Sequence, residues 1–183
     1  MPDKRPPIAE TYKLVYFGAP GAGKRTNLSQ LQQRLEAAPV QATDGDGALN
    51  LSLNSLQPVA PAPVSIFTLS GVLDTAPAWG ALLKGVHGVV FVADSNADRF
   101  SENLRAMTEL IGRLAYYRLK IDNFPVIVQY NKRDLPNAVP VARLEEELNP
   151  FGMPAFSTVA SDGTGVLECA QILCHLIGKL RAG

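Results

Sequence analysis

The segment that most constrains this chain is Gly18-Ala19-Pro20-Gly21-Ala22-Gly23-Lys24, which fits the pattern G-x-x-x-x-G-K. It stands between an apolar strand candidate, Tyr12–Phe17, and a segment with leucines at 28, 31 and 35, the spacing of one helix face. Glycines in such a loop let successive backbone N–H groups curl around anionic oxygens, and the first turn of the following helix adds partial positive charge. Strand, phosphate-type loop and helix in this order commit the chain to an α/β architecture. The competing reading of the same residues is a glycine-rich turn that binds nothing.

Further strand candidates are Leu49–Leu53, Val64–Leu69, Gly88–Ala93, Pro125–Tyr130 and Ala155–Val159. GVVFVA and PVIVQY are nearly continuous apolar runs, as central parallel strands covered on both faces require. Leu104, Met107, Ile111 and Leu114 form one helical stripe, and Val166, Ala170, Leu173, Ile177 and Leu180 another; both are assigned to the core. Only QPVAPAP separates the second and third strands, too little for a crossover helix, so those two strands form an antiparallel hairpin. The expectation is a six-stranded, mostly parallel sheet with one antiparallel hairpin strand and helices on both faces. It forms a single domain over 1–183 with a flexible leader at 1–10, and Gln41–Ala48 is expected to be mobile.

Composition excludes several classes. The 183 residues carry Lys+Arg 17 against Asp+Glu 17, so nothing draws the chain to nucleic acid or an anionic surface. The longest apolar run, Val89 to Ala93, is too short to insert into a membrane. Neither terminus shows a targeting or lipidation signal, and two cysteines, Cys169 and Cys174, read as reduced thiols of a cytoplasmic protein.

After the fifth strand comes Asn131-Lys132-Arg133-Asp134, which fits N-K-x-D. An ionised carboxylate accepts two hydrogen bonds, matching guanine N1–H and N2–H₂, whereas adenine presents no such donor pair. A site of this kind rejects the wrong base because its polar groups are then left unpaired. Asn131 either binds guanine N7 or ties back to the phosphate loop, and the stem of Lys132 covers the base plane. Beyond the sixth strand, the backbone N–H of Ala160 is placed to meet guanine O6. All three motifs lie past the carboxyl ends of strands, where open α/β sheets bind ligands. GTP or GDP is therefore the expected cofactor, with Gly18, Gly21, Ala22, Gly23 and Lys24 around its phosphates.

One position departs from the loop pattern. Ser or Thr normally follows the lysine and ligates Mg²⁺; here Arg25 stands there and Thr26 comes one residue late. A residue is about 100° of helical turn, so Thr26 cannot simply take over the ligand direction. It remains the hydroxyl candidate for a metal. Arg25 has two readings: incidental and solvent-facing, or neutralising phosphate charge where the metal would sit.

In KLVYFGAPGAGK, GVVFVADS, VIVQYNKRDLP and VASDGTGV the chain resembles the MglA family, bacterial Ras-like GTPases of gliding motility and cell polarity. The likeness runs from about Tyr12 to the last helix. It implies a Ras-like P-loop fold, guanine-nucleotide binding, and a protein partner of roadblock or longin type on the switch loops. The chain departs from that family's Thr-Thr after the lysine (Arg25-Thr26) and from its T-V-P-G-Q (Thr68-Leu69-Ser70-Gly71-Val72). Gly71 keeps an N–H that can sense a γ-phosphate, but Val72 stands at the usual glutamine position and cannot orient water. The first-switch threonine falls on Ala48, with Thr43 or Ser52 as substitutes. Between Arg34 and Arg99 there is no arginine, so neither switch carries an arginine finger, a group worth roughly 10³–10⁵ in rate.

Four functions compete: a nucleotide-binding switch or interaction module with weak or absent hydrolysis; a GTPase completed by a roadblock-type partner; a scaffold without nucleotide; and a nucleoside monophosphate kinase. GAPGAGK-R-T also looks like the adenylate kinase loop. Those kinases, however, need several arginines and a lid insertion and have no use for NKRD. Among other polar residues, His87 is placed at a helix C-terminus, Asp94 and Ser95 order the loop after the fourth strand, and Trp79 anchors either a partner or the core.

Overall fold

The alternation of side chains along the first strand divides the whole molecule. In the computed structural model, which describes residues 11–43, 48–54, 56, 63–69 and 76–182, β1 (Tyr12–Phe17) sends Leu14 and Tyr16 to one face and Val15 and Phe17 to the other. Helices α1 (Lys24–Arg34) and α5 (Val166–Ala182) cover the Leu14 face. Helices α2 (Ala76–Leu83), α3 (Phe100–Tyr116) and α4 (Val141–Leu148) cover the Val15 face. Strands with both faces covered should be apolar at every position, and β5 (Gly88–Asp94) and β6 (Val126–Asn131) are buried throughout. Each large aliphatic side chain so buried contributes about 1.5–3 kcal/mol of transfer free energy.

The remaining strands are β2 (Gln41–Ala42), β3 (Ala48–Leu53), β4 (Val64–Leu69) and β7 (Ala155–Ser157), and the sheet order is β2-β3-β4-β1-β5-β6-β7. β1, β4, β5, β6 and β7 are parallel, and β3 runs antiparallel to β4 as the short connector required. The count is seven rather than six. Gln41 and Ala42 pair antiparallel with Asn50 and Leu49, adding an edge strand where a mobile stretch was expected. Periodicity could not show it, because two exposed residues carry no pattern; backbone pairing, closed by the Thr43 N–H donating to Ala48 O at 2.9 Å, holds it. One further expectation shifts: Leu180 ends its stripe exposed rather than in the core. Of the two roles open to Trp79, the core is the one it takes, with its ring 4.2 Å from that of Phe17. The leader at 1–10 lies outside the described residues.

His87 sits between α2 and β5, where its Nδ1 accepts the Lys13 N–H at 2.8 Å and so ties β1 to the loop. Cys169 and Cys174 are buried free thiols on α5. Burial pushes both up to about 12. Among the described residues no helix is long and apolar enough to cross a membrane.

Candidate functional site

Parallel strands bring their carboxyl ends to one edge, and register does the rest: Phe17 lies beside Phe91, and Asp94 beside Asn131. The loop from Gly18 to Gly23 leaves β1 at that edge and enters α1. Gly18 has φ +151° with Val92 O close by; a Cβ there would lie 2.1 Å from that oxygen. Gly23 has φ +105°, and a Cβ would lie 2.3 Å from Asn131 Nδ2. Both glycines are therefore dictated by close approach as well as by conformation. Buried Lys24 bends back over the loop, its Nζ donating to Gly18 O at 2.7 Å and Ala19 O at 3.1 Å.

Asn131 joins the loop to the far side of the cleft. Its Nδ2 donates to Ala22 O at 2.8 Å, while its Oδ1 accepts the Ala160 N–H at 2.9 Å and the Thr158 hydroxyl at 3.2 Å. Of the two roles open to Asn131, the tie to the phosphate loop is the one formed. The Ala160 N–H, assigned to guanine O6, here serves the asparagine. Lys132 takes φ +62°, and its Nζ lies 2.6 Å from Asp94 Oδ2. Asp94 is buried, and its Oδ1 also accepts the Asn96 N–H at 3.0 Å, so it orders the loop after β5. Gly21, Gly23, Thr26, Asn131, Asp134 and Ala160 together line a cavity of about 210 Å³. Exposed Asp134 thus shares one cavity with the phosphate loop. Nearby, Asp162 Oδ1 accepts the Thr164 N–H at 2.8 Å; hydrogen bonds from the Thr164 hydroxyl and amide hold this carboxyl below its usual range.

With the G-x-x-x-x-G-K loop and the N-K-x-D turn on one cavity, the sequence as a whole can be set beside those of known proteins. Residues 4–175 match the profile of the ADP-ribosylation factor family. The chain belongs to that family. The mutual gliding-motility protein MglA of Myxococcus xanthus is 33% identical over 175 residues, covering 90% of this chain and 89% of the relative. ADP-ribosylation factor-like protein 1 of Saccharomyces cerevisiae is 29% identical over 171 residues, covering 90% and 87%. This is a small GTPase of the MglA-like kind, as the motifs implied.

Within the ADP-ribosylation factor family frame, the metal side of the cleft looks different from the base side. Arg25 is exposed and does not line the cavity, and Thr26 faces the base-side cavity. Ala48 is buried at the start of β3 opposite Leu69, and Thr43 donates its hydroxyl to Ala48 O at 3.2 Å. Ser52 pairs with Ser65 toward the amino end of β4, away from the cleft. Among the described residues, Arg25, Thr43 and Ala48 do not offer the usual Mg²⁺ hydroxyl pair, and no group of three or more His, Cys, Asp or Glu could hold a metal. Gly71 and Val72 lie outside the described residues.

Three supports escaped the sequence reading. Asn27 Nδ2 donates to Gly23 O at 2.9 Å, and Gln129 Nε2 donates to Asn27 Oδ1 at 2.8 Å. Gln129 left a signal, a polar side chain inside the otherwise apolar VIVQYN, whereas Asn27 lies in a polar segment and left none. Arg99, in a 3-10 turn (Ala97–Arg99) before α3, donates from Nη2 to Pro20 O at 2.9 Å; it lies 79 residues away in sequence and left no local signal.

Proposed function

We propose that this chain binds GDP or GTP and acts as a switch or interaction module whose intrinsic hydrolysis is slow or absent. The observation that carries the reading is the Asn131 bridge, which locks the phosphate loop to the Ala160 turn and leaves Asp134 on the same cavity. A carboxylate there accepts guanine's two amino-side hydrogens, the loop amides take the phosphates, and Lys24 turns from Gly18 O and Ala19 O to the β- and γ-phosphates. Hydrolysis needs more: a metal ligand, an oriented water and cationic charge at the leaving oxygen. Arg25 and Val72 supply neither of the first two, so binding and turnover come apart. The Mg²⁺ requirement is correspondingly low, and a roadblock- or longin-type partner would act on the switch surface, in a role akin to gliding motility or polarity.

Calorimetry with GDP, GTP and ADP tests binding, and single-turnover hydrolysis tests the rest. Binding of both guanine nucleotides at least 100-fold tighter than ADP, with conversion over hours, supports the reading. Equal affinity for ADP and GDP overturns the base assignment. Turnover within minutes, alone or with a roadblock-type protein, replaces the module by a working GTPase.

A further inference from the structure

Five of the six carbonyls from Gly18 to Gly23 are held by a side chain. Lys24 holds Gly18 O and Ala19 O, Asn131 holds Ala22 O, and Asn27 holds Gly23 O. The carbonyl at the crest, Pro20 O, is held from outside the loop by Arg99. A trans peptide points its C=O and N–H in opposite directions. Anchoring a carbonyl outward therefore aims the next residue's N–H inward. At the crest this matters most, because Pro20 brings no N–H of its own and the step depends on Gly21 alone. Gly21 has φ +79° and lines the cavity.

Arg99 is itself fixed. Its Nη1 donates to Glu102 Oε1 at 3.1 Å. The α3 backbone amide, the Ser101 hydroxyl and the cations of Arg99 and Arg105 hold the Glu102 carboxyl below its usual range, so it stays ionised at neutral pH. The turn that carries Arg99 is capped by Asn96, whose Oδ1 accepts the Asp98 N–H at 2.9 Å. Asn96 in turn is pinned by Asp94, the residue that also grips Lys132.

We infer that Arg99 is a positioning residue for the phosphate loop: by holding Pro20 O outward it aims the Gly21 N–H at the terminal phosphates of a nucleoside diphosphate or triphosphate. This rests on the proposed function for the identity of the base but not for the anion. Arg99 does not replace the missing finger; it shapes the cradle from behind, and it comes from the β5–α3 connection rather than from either switch.

The full chain is compared with Arg99→Ala and Arg99→Lys by calorimetry using GDP, GMP, ADP and inorganic pyrophosphate, with the Gly21 amide followed by ¹⁵N NMR. Expected for Arg99→Ala is a loss of about tenfold for GDP and pyrophosphate, GMP affinity within twofold of the parent, and loss of the ligand-induced shift at Gly21. Arg99→Lys, which keeps a donor for Pro20 O, should recover most of the GDP affinity. GDP affinity unchanged in Arg99→Ala overturns the inference, as does a parallel fall for GMP, which would mark a merely structural role. Should the parent bind ADP and GDP alike, the guanine assignment fails while the pyrophosphate comparison still decides Arg99. A parent that binds neither pyrophosphate nor GDP overturns both.

Discussion

At the base end of the cleft, Asn131 bonds three groups from two different segments, and Lys132 is locked to a buried carboxylate. At the phosphate end the loop has equal order, yet the side chains that chemistry would use are changed: Arg25 where a hydroxyl ligates metal, and Ala48 where a switch threonine would come. The contrast separates two jobs that share one cleft. Holding a nucleotide depends on backbone amides and their supports, which survive the changes. Hydrolysing it depends on a few side-chain atoms, and on the proposed function those are the ones altered.

The base end can be broken most sharply at Asp134. Asp134→Asn exchanges an acceptor pair for an amide, so GDP affinity should fall at least 10²-fold while xanthosine diphosphate, with a carbonyl where guanine has its amino group, improves. Competition binding with the two nucleotides checks this. Asn131→Ala should come next. It strips partners from Ala22 O and the Ala160 N–H, buried polar groups that cost about 1–3 kcal/mol each when unpaired. Denaturant unfolding should show a loss of about 2–4 kcal/mol, with weaker GDP binding alongside.

The phosphate end should respond in the opposite sense. Arg25→Thr restores a hydroxyl at the metal position, so GDP retention should become sensitive to chelation. Combined with Val72→Gln, single-turnover hydrolysis should rise by about tenfold or less, because the Thr43 hydroxyl is engaged by Ala48 O. A larger gain would show that the first switch rearranges to supply one.

The thiols of α5, buried in the core beneath the cleft, give the smallest effect at neutral pH. Cys169 and Cys174 are raised to about 12 from an ordinary value of 9.0 by burial. A group raised by folding stabilises the native state in full below its unfolded value. That contribution is lost as pH climbs from 9 toward 12, where the unfolded chain ionises first. Unfolding free energy should therefore be level in this respect up to pH 9 and decline above it. Both thiols should resist alkylation at pH 8 until denaturant is added.

Where a signal was local, the amino-acid pattern was enough to read it. Alternation and apolar runs located β1 and β4 to the residue and β5 and β6 within one, and the two motifs lie on one cavity as their strand-end positions required. What failed was whatever depends on tertiary partners. β2 exists through pairing rather than pattern, and Leu180 repeats the helical spacing beyond the end of the core it would fill. Arg99 reaches Pro20 only because β1 and β5 are neighbours in the sheet. Asp94 was read as a loop-ordering residue and is one, but its grip on Lys132 spans 38 residues and follows from the β5–β6 register.

On the proposed function, this cleft holds guanine nucleotide by its base and its loop amides rather than by a metal. The GDP dissociation rate, followed with Mg²⁺ present and again with EDTA in excess, tests it directly. The two rates should lie within about threefold of one another. Release accelerated tenfold or more on chelation would contradict it, since a divalent ion would then be carrying the phosphates.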